Sequence, residues 1–240
     1  MTIRNLIGGV EDLIPVNNVL ISVYDKTGLD RLIPGLVELN PGVRFLLTGG
    51  THRVVGKILE GLRLNGWELI EEISEYTGFP EMEGGLVKTL HPKIHAGLLA
   101  ERNNPDHRRF LEEELCGGVF IDVAVVNLYP FSEVVSSGDV DFERARGHID
   151  IGGPAMIRAA AKNFPSCAAV CDPRDYSDFL MHLISNTGAT SFIQRVGLAG
   201  KAFEMTARYD REIANYFAKN NIRAEEDIRR EYGFADGGDD

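Results

Sequence analysis

The sequence has few cysteines, no long apolar run and less positive than negative charge. Three cysteines among 240 residues favour a reducing cytoplasm over a disulfide-linked secreted fold. No stretch approaches the ~18 consecutive apolar residues of a membrane span. Acidic residues interrupt the N-terminal apolar run, so no signal peptide is predicted. A formal net charge of −11 argues against a general nucleic-acid-binding protein.

The composition is typical of a globular protein, with 44% hydrophobic and 25% charged residues. Short apolar runs rich in β-branched residues alternate with helical patterns. Strands are predicted at residues 19–23, 43–47, 68–73, 122–127 and 168–171, and helices at 29–39 and 51–62. The alternation predicts an α/β fold with three layers, in which helices cover both faces of a mostly parallel sheet.

The predicted organisation is a single domain between two short terminal segments. Residues 1–17 form an N-terminal segment, residues 18–220 the domain, and residues 221–240 a charged, frayed tail. The domain ends in a helical region that Gly197 and Gly200 are expected to interrupt. Residues 136–141 and 186–190 are predicted to be surface loops.

Polar and glycine-bearing segments follow three of the predicted strands, where open parallel sheets bind ligands. These segments are residues 24–28, 48–51 and 128–131. Residues 48–51, Thr-Gly-Gly-Thr, open a helix and are called here the anion-binding turn, because amides at a helix start with two hydroxyls can hold an anion. Lys26 supplies a positive charge nearby. The alternative is an ordinary turn in which a threonine caps the helix.

Two further segments carry candidate chemical groups. After a glycine pair, Lys88 is followed by His91 and His95, which could bind a metal on a helix. Pro92 separates them and no carboxylate follows at ligand spacing, so hydrogen bonding to the backbone is the favoured interpretation and no metal is predicted.

Residues 150–163 predict a helix that starts at Gly-Gly-Pro, with Pro154 at the first helical position, and continues through an alanine run. Arg158 and Lys162 lie one turn apart on it, and Asp150 precedes it. One interpretation is a capping acid with a solvated basic face. The other is close packing at the alanines, which would direct Lys162 into a cleft.

Taken together, the ordered motifs resemble the inosine monophosphate (IMP) cyclohydrolase domain of the bifunctional formyltransferase/IMP cyclohydrolase family of purine biosynthesis. The resemblance covers residues 19–217. The segments that carry it are residues 22–28 (SVYDKTG), 48–51 (TGGT), 76–82 (YTGFPEM), 87–92 (VKTLHP), 127–131 (NLYPF), 150–153 (DIGG), 158–163 (RAAAKN) and 201–210.

The resemblance implies a methylglyoxal-synthase-like fold and the closure of a formamido-imidazole carboxamide ribotide to IMP and water. Its implied catalytic residues are Lys88, Tyr129, Asp150 and Lys162. Its implied substrate-binding residues are Ser22, Lys26, Thr27, Thr48, Gly49, Gly50, Thr51, Thr89, Asn127, Leu128, Ile151, Gly152 and Gly153. No cofactor or metal is expected. The expected partners are a purine nucleotide substrate, a second copy of the chain in a homodimer and a separate formyltransferase that supplies the substrate, with neither nucleic acid nor membrane.

The chain departs from the family pattern at three positions and in length. Leu86 stands where the family usually has Arg, Tyr24 where it has Ser, and Leu47 where it has Ser or Ala. The formyltransferase domain is absent from this sequence.

Ring closure needs a stabiliser for the formyl oxygen, a base and an acid. We expect Lys88 and Tyr129 to stabilise the oxyanion, Asp150 to receive the amide proton, and Lys162 to fix its charge state or relay that proton. Three alternatives stay open: a nucleotide- or phosphate-binding regulatory module, a methylglyoxal synthase, and a scaffold that has lost catalysis.

Overall fold

A computed structural model describes residues 9–62, 66–80, 82, 87–136, 140–220, 229 and 232–233. The chain divides into two compact units, each described here by itself. Unit 1 comprises Met1–Leu128 and Ile151–Glu204, and unit 2 comprises Tyr129–Asp150 and Met205–Asp240. The single domain over residues 18–220 stays a prediction. Leu86 and almost all of the predicted tail lie outside the described residues.

The described elements alternate between strands and helices along the chain. The strands are β1 (Leu13–Pro15), β2 (Asn18–Ser22), β3 (Arg44–Leu47), β4 (Ile70–Glu72), β5 (Val123–Val126), β6 (Ala168–Val170) and β7 (Ala189–Ser191). The helices are α1 (Leu29–Leu39), α2 (Gly49–Gly61), α3 (Ile73–Thr77), α4 (Pro92–Leu99), α5 (Pro105–Arg109), α6 (Phe131–Ser136), α7 (Phe142–Gly147), α8 (Gly152–Lys162), α9 (Tyr176–Ser185) and α10 (Phe192–Asn220).

Five strands of unit 1 form a parallel sheet in the order β4-β3-β2-β5-β6. All four residues of β5 are buried, as expected of a parallel strand covered on both faces. Helix α1 packs against both α2 and α9, and α8 packs on β5, β6 and α4. These contacts confirm a three-layer α/β fold in which helices flank a parallel sheet.

The sheet was predicted better than its surroundings. The predicted strand at residues 68–73 is shorter, because a 3-10 helix (Gly66–Leu69) precedes β4 and α3 starts at Ile73. The helix expected from Pro154 begins two residues earlier, so that proline is its third residue. It still lies in the first turn, where a backbone N–H has no partner within the helix.

The prediction of a surface loop at residues 186–190 was wrong in its last two residues. Ala189 and Thr190 are buried and belong to β7, which pairs antiparallel with β1. The predicted helix interruption was also wrong, because α10 runs unbroken through Gly197 and Gly200. Buried side chains between and beside these glycines, including Leu198 and Ala199, supply tertiary packing that offsets a propensity cost of about 1 kcal/mol per glycine. No helix in the described ranges is long and apolar enough to span a membrane.

Arg195 bonds the backbone next to β1 and within β7, the two three-residue strands that pair with each other. The side chain is fully buried, and its guanidinium donates to the carbonyls of Glu11 (2.7 Å), Thr190 (2.7 Å) and Phe164 (2.9 Å), and to two more carbonyls at 3.1 and 3.3 Å. One side chain therefore joins the N-terminal segment, β7 and the segment after α8.

We expect Arg195→Met to lower the free energy of unfolding by about 3 kcal/mol, since each buried carbonyl left without a donor costs about 1–3 kcal/mol. Urea denaturation measures the change. Arg211→Met is the matched control, because this arginine is exposed on the same helix, and it should shift stability by no more than about 0.5 kcal/mol. Equal losses in the two variants would contradict the role of Arg195.

Candidate functional site

The carboxyl ends of four neighbouring strands are level with one another in unit 1. Ser22 pairs with Val126, Ile21 with Leu47, and Leu47 with Glu72. The segments that follow β2, β3 and β5 therefore leave the same edge of the sheet, where parallel α/β folds bind ligands.

Asn127 holds the loop that follows β2. Its Oδ1 atom accepts hydrogen bonds from the amides of Tyr24 (2.6 Å) and Asp25 (3.0 Å), and its Nδ2 donates to the Asp25 carbonyl at 2.8 Å. The Asp25 carboxylate in turn accepts from the Thr27 amide at 2.9 Å, and its bonds to Thr27 lower its pKa. Asn127 was predicted to bind substrate, and in this structure its polar atoms shape the loop.

Lys26 lies half-buried in the same loop. Its ammonium donates to the carbonyls of Val23 and Tyr24, the latter at 3.3 Å. Burial lowers the pKa of Lys26, and the nearby Asp25 charge opposes that shift. The positive charge thus lies at the sheet edge from which the anion-binding turn also leaves.

The anion-binding turn forms the start of α2. Thr48 has extended backbone angles (φ −75°, ψ 149°), and its hydroxyl bonds the hydroxyl of Thr51 at 3.3 Å. Thr51 is buried, with its Oγ1 3.5 Å from the Val23 amide and carbonyl. Thr51 therefore ties α2 to the end of β2. The first amides of an α-helix have no partner within the helix, so those of Gly49 and Gly50 are suited to an anion.

Lys88 approaches the start of α2 closely. Its Nζ is 3.5 Å from Glu72 Oε1, and the Lys88 side chain is only 14% exposed. A Cβ added at Gly49 would lie 2.8 Å from Glu72 Oε1 and 3.2 Å from Lys88 Nζ, which is too close for any residue but glycine without movement of that ion pair. Sequence reasoning missed Glu72, although an acidic residue at the end of a predicted strand was a usable signal.

The start of α8 approaches the next residue, Thr89. A Cβ at Gly152 would lie 2.3 Å from Thr89 Oγ1. The turn itself is strained, since Val87 is β-branched and has a φ of 68°. Residues 87–89 are thus confined between the first residues of two helices, and are called here the lysine turn.

The first histidine after the lysine turn bonds to the backbone, as the favoured interpretation predicted. The His91 ring accepts from the Lys93 amide at 3.1 Å and caps α4, with its pKa lowered by burial and the Lys93 charge. The Nε2 atom of His95 is buried and has no hydrogen-bond partner among the described residues, and burial lowers the pKa of this histidine although the Thr89 backbone opposes the shift. Within the described ranges, no group of three or more metal-ligating side chains could hold an ion.

Lys162 lies far from the lysine turn along α8. It is the last residue of that helix, ten steps of about 1.5 Å from Gly152, or roughly 15 Å. The three alanines before it are buried or nearly so, but Lys162 is exposed, so the single chain does not direct it into a cleft. The residue that caps α8 is Ile151, which is 62% exposed, and not Asp150.

Unit 2 carries the other two predicted catalytic residues. The Tyr129 ring is 45% exposed and stacks edge-on with His148 at 6.1 Å between centroids. The Asp150 amide donates to the Tyr209 hydroxyl at 2.8 Å. The predicted catalytic set is therefore divided, with Lys88 and Lys162 in unit 1 and Tyr129 and Asp150 in unit 2. The predicted binding residues all lie in unit 1.

Comparison with known proteins gives a consistent relationship. The family model for the AICARFT/IMPCHase bienzyme matches residues 160–235. The bifunctional purine biosynthesis protein PurH of Rhizobium rhizogenes is 46% identical over 208 residues, 87% of this chain, and that of Chlorobium phaeovibrioides is 48% identical over 205 residues, 85% of this chain. The chain belongs to the PurH family. It spans 36% and 37% of the length of these two PurH relatives.

A solved structure has the same fold at lower identity. The structure described as "Crystal structure of ForH" is 32% identical and superposes with a TM-score of 0.66, covering 84% of this chain and 98% of that one. The PurH-family fold of this chain thus also exists in a solved chain of similar extent.

We expect the two adjacent glycines of α2 to respond differently to alanine. Gly50→Ala adds a Cβ with no described atom within 4 Å and should raise the free energy of unfolding by about 0.5–1 kcal/mol. Gly49→Ala forces the flexible ends of Lys88 and Glu72 to move, so it should raise the free energy of unfolding by less than Gly50→Ala does. Urea denaturation of both variants measures the difference. An equal gain in the free energy of unfolding would show that Lys88 and Glu72 leave room for a Cβ at Gly49.

We expect Gly152→Ala to destabilise the chain by about 1–3 kcal/mol through overpacking against Thr89 Oγ1. Replacing Thr89 by alanine removes that oxygen and leaves a Cβ contact of 3.7 Å, an ordinary van der Waals distance. The double variant should therefore recover most of the loss relative to Thr89→Ala alone. Additive losses in the double-mutant cycle would contradict the proposed clash.

Proposed function

We propose that this chain is an IMP cyclohydrolase, which closes a formamido-imidazole carboxamide ribotide to IMP with loss of water. The observation that carries the proposal is the confinement of the lysine turn between the starts of α2 and α8. This contact sets a partly buried ammonium beside a helix N-terminus, and both favour negative charge. The activity of the whole PurH protein is assigned to this chain only within this proposal.

The nucleotide phosphate would bind at the anion-binding turn. The first amides of α2 and the nearby Lys26 offer positive charge there, which is needed because the chain has a net charge of −11. The Asn127 bonds hold the backbone of the Lys26 loop in the shape that this binding uses. Ser22, Thr27, Thr48 and Gly50 complete the proposed phosphate and ribose contacts.

The chemical step would combine proximity with charge stabilisation. The carboxamide and formamido groups are adjacent on the imidazole, so holding them coplanar converts the reaction to an intramolecular attack. Lys88 would stabilise the oxyanion that forms at the formyl oxygen, with Tyr129 as a second hydrogen-bond donor. Asp150 would accept one proton of the carboxamide nitrogen as the ring closes, and the formamido nitrogen would lose its proton as the C=N bond forms. The formyl oxygen would take up these two protons and leave as water. Lys162 would fix the charge state of Asp150 or relay its proton.

Further parts of the proposal concern fold and partners. The three-layer fold would be of the methylglyoxal-synthase type, the chain would form a homodimer in the cytoplasm, and a separate formyltransferase would supply its substrate. No cofactor enters the proposed reaction.

Two observations favour a second candidate, a nucleotide-binding module of the same fold without catalysis. Lys162 is exposed at the far end of α8, and Leu86 replaces the arginine that the family usually has. A module of this kind would bind IMP and form none.

We expect the purified chain to convert the formamido ribotide to IMP, which the ultraviolet absorbance of the purine reports. Lys88→Ala should lower kcat by about 10²–10³-fold, the usual effect of removing one oxyanion donor. Lys57→Ala is the control, because this lysine is exposed on α2, and it should keep the activity of the unaltered chain.

Binding measured by calorimetry separates the candidates. IMP binding without turnover would select the non-catalytic module, and neither binding nor turnover would refute both.

A further inference from the structure

Tyr129 and Asp150 lie at the two ends of one segment of unit 2, and the structure shows what holds those ends. Tyr129 begins the segment and Asp150 ends it. One side chain that contacts residues near both ends is Tyr209, which lies on α10 and is only 5% exposed.

The Tyr209 hydroxyl makes two hydrogen bonds to the backbone around Asp150. It accepts from the Asp150 amide at 2.8 Å and donates to the His148 carbonyl at 3.3 Å. Because the hydroxyl both accepts and donates, only a protonated tyrosine can make this pair of bonds. Burial raises the pKa of Tyr209, so the proton that the His148 bond needs is kept.

The ring of Tyr209 contacts the other end of the segment. It packs edge-on against Phe131 at 6.5 Å between centroids, and Phe131 is fully buried. The Phe131 amide donates to the Tyr129 carbonyl at 2.9 Å. The Tyr129 ring then stacks on His148, whose carbonyl Tyr209 already holds. These contacts form a closed circuit through four residues, to which the Asp150 amide is joined by its bond to Tyr209, and Tyr209 is the member that is distant in sequence.

We propose that Tyr209 is a positioning residue that fixes the Asp150 backbone relative to Tyr129. The inference rests on the proposed function, because it assigns these two residues to the reacting groups. Tyr209 itself acts through the Asp150 amide and the Phe131 ring.

The substitution Tyr209→Phe tests the hydroxyl alone, since the ring and its contact with Phe131 stay. A displacement of about 1 Å at a reacting group costs about 10²-fold in rate, so kcat for ring closure should fall about 10- to 100-fold. KM should change less than about twofold, because the proposed phosphate contacts belong to unit 1. A purely structural role would instead lower the melting temperature and leave kcat per folded molecule unchanged.

Tyr216→Phe is the matched control. Tyr216 lies on the same helix and packs against the same Phe131 ring at 5.7 Å. The exchange is chemically identical and touches the same aromatic cluster, so a variant with normal kcat assigns the effect to the hydroxyl that holds Asp150.

A double-mutant cycle with Asp150→Asn identifies the path of the effect. If Tyr209 acts through Asp150, adding Tyr209→Phe to the Asp150→Asn chain should lower kcat by less than twofold. Multiplicative losses in the cycle, or a Tyr209→Phe chain with unaltered kcat, would overturn the proposal.

Hydrogen exchange at the Asp150 amide separates this inference from the proposed function. The amide should exchange at least tenfold faster in Tyr209→Phe than in the unaltered chain and in Tyr216→Phe. A chain that closes no ring would refute the proposed function, and unchanged exchange at Asp150 would refute the positioning role whether or not the chain turns over.

Discussion

The close approach of the lysine turn to two helix starts is the constraint on which the candidate site depends. A single carbon added at Gly49 or Gly152 would come within 2.8 Å of Glu72 or 2.3 Å of Thr89. Parallel strands deliver helix starts to the same sheet edge, and side chains at those starts would ordinarily keep other segments away. Glycine at both positions lets the ammonium of Lys88 lie beside α2 while α8 begins against the next residue. The missing Cβ at Gly49 thus leaves room for the Lys88 ammonium, and the missing Cβ at Gly152 leaves room for Thr89.

That placement also shows how an acidic protein can hold an anion. A net charge of −11 acts over long range and is screened within about 10 Å at ordinary ionic strength. Lys26, Lys88 and the amides of α2 act at contact distance, where screening is weak. Glu72 lies in the same place and pairs with Lys88 at 3.5 Å, so the local positive charge is partly balanced while no anion is bound.

The sequence predicts those parts of this structure that are set by neighbouring residues or by burial in the core. Short apolar runs predicted most of the parallel sheet, because strands buried on both faces are largely apolar. The pairing of β1 with β7 was missed because its partners are far apart in sequence. Glu11 is likewise 184 residues from Arg195, from whose side chain its carbonyl accepts a bond. For the same reason, the sequence did not predict the contact of Tyr209 with the Asp150 amide, which is 59 residues away. The helix interruption predicted at Gly197 and Gly200 was wrong because the tertiary packing of α10 outweighs the low helix propensity of glycine.

In the candidate site, too, the sequence does not predict which residues a polar side chain bonds. Asn127 and Thr51 belong to motifs from which a nucleotide site is predicted, yet both side chains bond the backbone within residues 23–25, and Thr51 also bonds the Thr48 hydroxyl. Thr48 and Gly50 come from the same motifs and remain at least partly exposed. A motif thus contains residues that can touch a ligand together with residues that hold the backbone for them. Both kinds are adjacent in sequence, so only their hydrogen-bond partners separate the two, and those partners are distant in sequence.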